Sequence, residues 1–140
     1  DTIRVIKQAV SIPVIANGDI TSPQKARFVL DYTGADAIMI GRAAQGRPWI
    51  FREVVHYLAT GELLAPPDLQ QVRDIMLEHV QGLHQLYGEV LGPRIARKHV
   101  GWYLAEHDAE GAFRSEFNGI EQQQTQLDAL WNYFEQLAAT

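Results

Sequence analysis

Apolar residues follow two different rhythms along this chain, and the change between them divides it. In the first part they come in short runs. Ile12-Pro13-Val14-Ile15-Ala16 stops at Asn17-Gly18-Asp19, and Ala35-Asp36-Ala37-Ile38-Met39-Ile40 stops at Gly41. Short apolar runs bounded by turn residues predict buried strands. Between them Thr21 or Ser22 is placed to cap a helix with Pro23 in its first position, and Gly34 supplies the stop. Residues 1–10 read as the tail of one more helix. The order α-β-α-β is the repeating unit of a parallel sheet. A parallel sheet is covered on both faces and needs neighbours on at least one edge. The chain is therefore expected to be part of a longer α/β protein whose other strands lie upstream; a small α+β domain with a two-stranded sheet is the plainer alternative.

From residue 48 onward the rhythm is helical. One helix is predicted from Pro48 to Thr60, ending at Gly61, and Leu64-Ala65-Pro66-Pro67-Asp68 reads as a linker. Leu69, Val72, Met76, Val80, Leu83 and Leu86 or Tyr87 recur at spacings of three and four, one apolar stripe. A further helix is predicted from Pro93, a short segment carries Phe113 and Phe117, and a last helix bears Leu127, Leu130 or Trp131, Phe134 and Leu137. Helices with one apolar face each predict a small bundle. The expected organisation is thus α/β over residues 1–63 followed by an all-α region over 64–140. Trp102, Tyr103, Trp131 and Phe134 fall at helical spacing and are read as core rather than as base-stacking surfaces.

Composition narrows the classes. The 140 residues are 46% hydrophobic and 21% charged, an ordinary soluble globular balance. The absence of cysteine excludes a disulfide framework, a zinc-thiolate site and a cysteine nucleophile in this polypeptide. No apolar run reaches the ~18 residues of a membrane span and no signal peptide is visible, so a cytoplasmic location without membrane contact is expected. His56, His79, His84 and His107 show no spacing that pairs them with carboxylates on one face, and no metal site is expected. Charge is uneven: residues 1–64 hold seven basic and six acidic side chains, residues 65–140 five and eleven. Yet Arg94, Arg97 and Lys98 all fall within residues 91–105, a window free of carboxylates. A basic patch on an acidic body is predicted.

Two groups of residues carry candidate chemistry. Asn17-Gly18-Asp19 and Gly41-Arg42 follow successive parallel strands, so both turns project from the carboxyl edge, where α/β proteins bind ligands. Glycines there let the backbone approach an anion, free amides donate to phosphate oxygens, and Arg42 adds a cation. In (β/α)8 barrels the loops after the last two strands frequently form a phosphate site. The second group is the helix at Pro93. At 100° per residue Arg94, Arg97, Lys98 and Gly101 share a stripe about 100° wide, with Gly101 expected to leave it flat and Pro93 to mark the positive end of the helix dipole. Such a face suits phosphate contacts to RNA. A solvated bundle face is the alternative. Glu121 is expected on the opposite, acidic surface.

The stretches Ile12–Ile20, Gly34–Ala44 and Gly46-Arg47-Pro48-Trp49-Ile50-Phe51, with Arg94-Ile95-Ala96-Arg97-Lys98-His99-Val100-Gly101-Trp102-Tyr103, resemble the tRNA-dihydrouridine synthases, most closely the bacterial B type. These four motifs cover most of the chain in order. The resemblance implies the last two βα units of an FMN-binding TIM barrel followed by a helical tRNA-binding domain. The implied activity is reduction of uridine in tRNA by FMN recharged with NADPH. It further implies that Asn17, Gly18, Asp19, Gly41 and Arg42 bind the flavin, the last two beside its phosphate, and that Arg94, Arg97, Lys98 and His99 meet tRNA. Helical geometry puts His99 about 100° around from Lys98, off the basic face. Arg47 departs from the small polar residue expected there. The family's proton-donating cysteine, with its lysine and histidine partners at the flavin, lies upstream, so the chain is expected to be inactive without the upstream barrel half of the same polypeptide. Another FMN barrel oxidoreductase, or a non-enzymatic helical RNA- or protein-interaction module, are the competing readings.

Overall fold

The computed structural model describes residues 1–140, which form two compact units, residues 1–65 and 66–140. The first unit runs α1 (Thr2–Ala9), β1 (Ile15–Asn17), α2 (Pro23–Thr33), β2 (Ala37–Met39), a 3-10 turn at Arg42–Ala44, and α3 (Ile50–Thr60). The two strands pair in parallel, with Ile15, Ala16 and Asn17 opposite Ala37, Ile38 and Met39.

Both strands are shorter than their apolar runs, and Asp36 anchors the chain where they begin. Its carboxylate accepts the Val14 N–H at 2.8 Å and the Lys7 ammonium at 2.6 Å. Pro13 has no N–H to offer; on entry to β1 the Asp36 side chain takes the Val14 N–H, while the Val14 carbonyl accepts the Asp36 and Ala37 N–H groups at 2.9 and 3.4 Å. The core of this unit is Ile20, Ala26, Ile50 and Val54, packed by Val29, Ile38, Ile40 and Leu58. Ile12, Ile15 and Met39 are exposed. The sheet is thus buried on one face, where burial on both was expected. Ser22 caps α2, its Oγ accepting the Lys25 N–H at 3.1 Å, with Pro23 in the first turn and Gly34 in the left-handed conformation after the last. Arg27 donates to the Leu58 carbonyl at 2.6 Å and so ties α2 to the end of α3.

The second unit holds α4 (Leu69–Tyr103), α5 (Ala112–Asn118) and α6 (Gln123–Ala139). Asp68 and Gln71 form a capping box at the start of α4. The helix is broken at Gly88, whose φ of 79° and ψ of −172° belong to a region only glycine enters freely. Beyond it the chain doubles back. The rings of His79 and His99 lie 4.7 Å apart, whereas a continuous helix would separate those residues by about 30 Å. The reversal therefore comes before Pro93, the predicted start, and Pro93 is buried inside the second arm. Gly92 makes the close approach possible, since a Cβ there would sit 2.9 Å from the His84 Cα.

The predicted stripe is the core here: Val72, Met76, Val80 and Leu83 are buried with Ala96, Val100, Leu104, Phe117, Leu130 and Phe134. Leu86 and Tyr87, at the turn, are exposed. Tyr103 and Phe134 are core as expected, but Trp131 is not. The Arg73 guanidinium lies 4.0 Å from its ring centroid while bonding Asp74 and Glu135, which makes Trp131 a surface clasp between α4 and α6. Beneath this, the Gln126 Nε2 donates to the Pro93 carbonyl at 3.0 Å, and its Oε1 lies 2.7 Å from the His84 Nε2, which acts as the donor. No helix is long and apolar enough to cross a membrane.

Candidate functional site

Asn17, Gly18, Asp19, Gly41 and Arg42 all line one cleft of about 350 Å³, together with Ile20, Thr21 and Ala43. The parallel register brings them together: Asn17 and Met39 are partners, so both chains leave the ladder at the same edge. Gly18 and Asp19 both turn with positive φ, 152° and 46°. A Cβ on Gly18 or Gly41 would meet nothing within 4 Å, so the concavity stays open above both. Arg42 donates to the Asp19 carboxylate at 2.7 Å, and both side chains are largely exposed. Asp19 therefore faces the cleft and leaves the capping of α2 to Ser22. Arg47 braces the loop behind, reaching the Thr21 carbonyl at 3.3 Å and Glu53 at 2.8 Å.

The basic helix is less uniform than its spacing implies. Arg94 and Lys98 are exposed, and the Lys98 ammonium sits 5.3 Å from the Trp102 ring centroid. Arg97 is half-buried. Its Nη2 donates to the Ile120 carbonyl at 3.1 Å, while its buried Nε has no partner. Gly101 does not flatten an open face: it is buried, and Arg114 lies over it, with Nε 3.1 Å from where a Cβ would stand. The closeness allowed by Gly101 is taken by a protein side chain.

His99 lies off the stripe, edge-on to His79 and to Trp102. Burial pushes its pKa down, with smaller contributions from His79 and Lys98, and burial lowers that of His79 too. The His79 Nδ1 is 3.0 Å from the Tyr103 hydroxyl, whose pKa burial raises to about 12. Both imidazoles are thus held toward the neutral form, unlike a pair of phosphate-binding cations. No cluster of three or more histidine and acidic side chains could hold a metal ion.

Arg94 and Arg97 line a second cleft, of about 450 Å³, and Glu121 lines it with them. The expectation that Glu121 occupies an opposite surface is therefore wrong. Glu121 precedes α6, and the packing of α6 on α4 brings it round to the arginines, a placement without any local sequence signal.

The family model for dihydrouridine synthase matches residues 1–138. The tRNA-dihydrouridine synthase B of Pectobacterium carotovorum is 66% identical over 138 residues, which is 99% of this chain and 43% of that protein. Those of Vibrio cholerae and Salmonella typhimurium are 63% and 64% identical over the same shares. The chain spans less than half the length of these relatives. With the family model matched almost end to end and the strand-end turns and basic helix intact, the chain belongs to the dihydrouridine synthase family.

Proposed function

We propose that this chain supplies the phosphate end of a flavin site and the tRNA-docking helices of a tRNA-dihydrouridine synthase, which reduces uridine to 5,6-dihydrouridine with FMN and NADPH in the cytoplasm. The observation that carries this is the convergence of Asn17, Gly18, Asp19, Gly41 and Arg42 on one cleft at a single sheet edge. The residues fit a phosphate: the space above both glycines admits a group close to the backbone, and the Arg42 guanidinium is exposed beside it. Bound there, FMN supplies the hydride. Gly18 and Gly41 leave room for the phosphate, and Arg42 fixes it. Residues 1–63 act as the last two βα units of a TIM barrel, and exposed Ile15 and Met39 are the positions where upstream strands would cover this sheet. Arg94 and Lys98 give tRNA its electrostatic hold, within a unit whose acidic balance leaves little general attraction for RNA. Without a cysteine to protonate uridine, the chain alone has no activity.

The test is flavin titration of the full-length protein, followed by fluorescence. Arg42→Ala removes a charge-assisted contact and is expected to weaken FMN binding about tenfold. Unchanged affinity removes Arg42, and with it this cleft, from the flavin site.

A further inference from the structure

The cleft beside the α4 reversal has a composition that phosphate binding does not explain. Val90 and Pro93 give it an apolar wall, Arg94 and Arg97 bring two cations, and Glu121 and Gln123 close the other side. With Glu89 also at its margin, two carboxylates balance the two guanidinium groups. The cleft thus offers carboxylate acceptors and an apolar face as well as positive charge, more than a bare phosphate would use.

Arg97 is the fixed point. Its Nη2 is held by the Ile120 carbonyl, and that carbonyl and Pro93 both belong to the network centred on buried Gln126. Gln123 is fixed as well, donating to the His84 carbonyl at 3.3 Å. The Arg97 Nε is the one buried side-chain nitrogen or oxygen without a hydrogen-bond partner.

Resting on the tRNA-docking reading above, we infer that this cleft receives an unpaired guanine base of the RNA. A volume of about 450 Å³ lies within the range of small-ligand sites. RNA-binding proteins read unstacked bases by contact with the ring face and by hydrogen bonds along the edges. Val90 and Pro93 offer the face. Guanine alone among the four bases presents two adjacent N–H donors, matching the Glu121 carboxylate, beside the O6 and N7 acceptors that arginine reads. The sugar-phosphate then stays outside the cleft, toward exposed Arg94 and Lys98.

The sign of one substitution separates base docking from simple charge attraction. Removing an exposed carboxylate slightly strengthens binding to a polyanion, the outcome expected of Glu78→Ala on the first arm of α4. Glu121→Ala in the full-length protein is instead expected to weaken binding of a tRNA transcript about five- to a hundredfold. Kethoxal, which reacts with the N1 and N2 edge of unpaired guanine, should find one guanine protected by wild-type protein and reactive again with Glu121→Ala. If Glu121→Ala binds as tightly as wild type or tighter, with the same kethoxal pattern, the base cleft is overturned while tRNA docking stands. If wild-type protein binds no tRNA, the docking reading falls and takes the cleft with it.

Discussion

The imidazoles of His79 and His99 meet edge to face across the two arms of α4, ring centroids 4.7 Å apart. This contact couples hairpin closure to protonation. Both groups have pKa values lowered below 6.5 in the folded chain, burial being the main cause. The unfolded chain therefore takes up protons first as pH falls. Stability contributed by the pair is complete above about 6.5 and is lost as the pH drops from there through the folded values. Tyr103, beside His79, stays neutral across this window, and the ammonium of Lys98 adds to the penalty on charging His99.

The expected outcome is a denaturation midpoint that declines between pH 7 and pH 5, and declines less in His79→Gln. Equal slopes for the two proteins would show that the histidines titrate as freely in the fold as in the unfolded chain.

Two glycines of α4 should respond with opposite signs. A methyl on Gly92 would meet the His84 backbone at 2.9 Å and the Leu83 carbonyl at 3.2 Å. Neither can move without parting the arms, so Gly92→Ala is expected to destabilise by about 1–3 kcal/mol. Gly82 has nothing within 4 Å of its Cβ position and lies in regular helix. Gly82→Ala should stabilise by about 0.5–1 kcal/mol. Urea denaturation of the two variants checks both signs.

Asp36 should govern acid sensitivity in the first unit. Lys7 is the main cause of its lowered pKa, with the Val14 N–H next. A carboxylate lowered from 3.8 contributes stability above that value and loses it as pH falls through the folded value. Asp36→Asn should thus be less stable than wild type at neutral pH, with the difference closing below about pH 3.8. A gap that persists at pH 2 would assign the effect to shape rather than charge.

What the sequence made legible was local. Ser22 with Pro23 and Gly34 bounds a helix by short-range chemistry alone, and the strand-end turns at Gly18 and Gly41 needed only parallel topology to become neighbours. The apolar stripe from Val72 to Leu83 is periodic and so was readable. The reversal lies at Gly88 and not at Pro93, the stronger sequence punctuation, because proline is tolerated in a first turn whereas the backbone angles of Gly88 are not freely available to other residues. Glu121 and Gly101 differ from expectation for another reason: helical angle and charge alone do not locate them, because α6 and Arg114 decide what they face. The half-buried state of Arg97 likewise depends on Ile120, far along the chain.

Gln126 holds the second unit together in a way that bears on how it comes apart. Its amide serves both arms of α4 at once, His84 on the first and the Pro93 carbonyl on the second. If α6 lifts away, a buried imidazole and a buried carbonyl lose their partners together; if the arms separate, the amide is stranded instead. Neither motion has a cheap partial form. Opening is then a single cooperative event, and the slowest-exchanging backbone amides of both arms and of α6 should report one common free energy rather than a graded series.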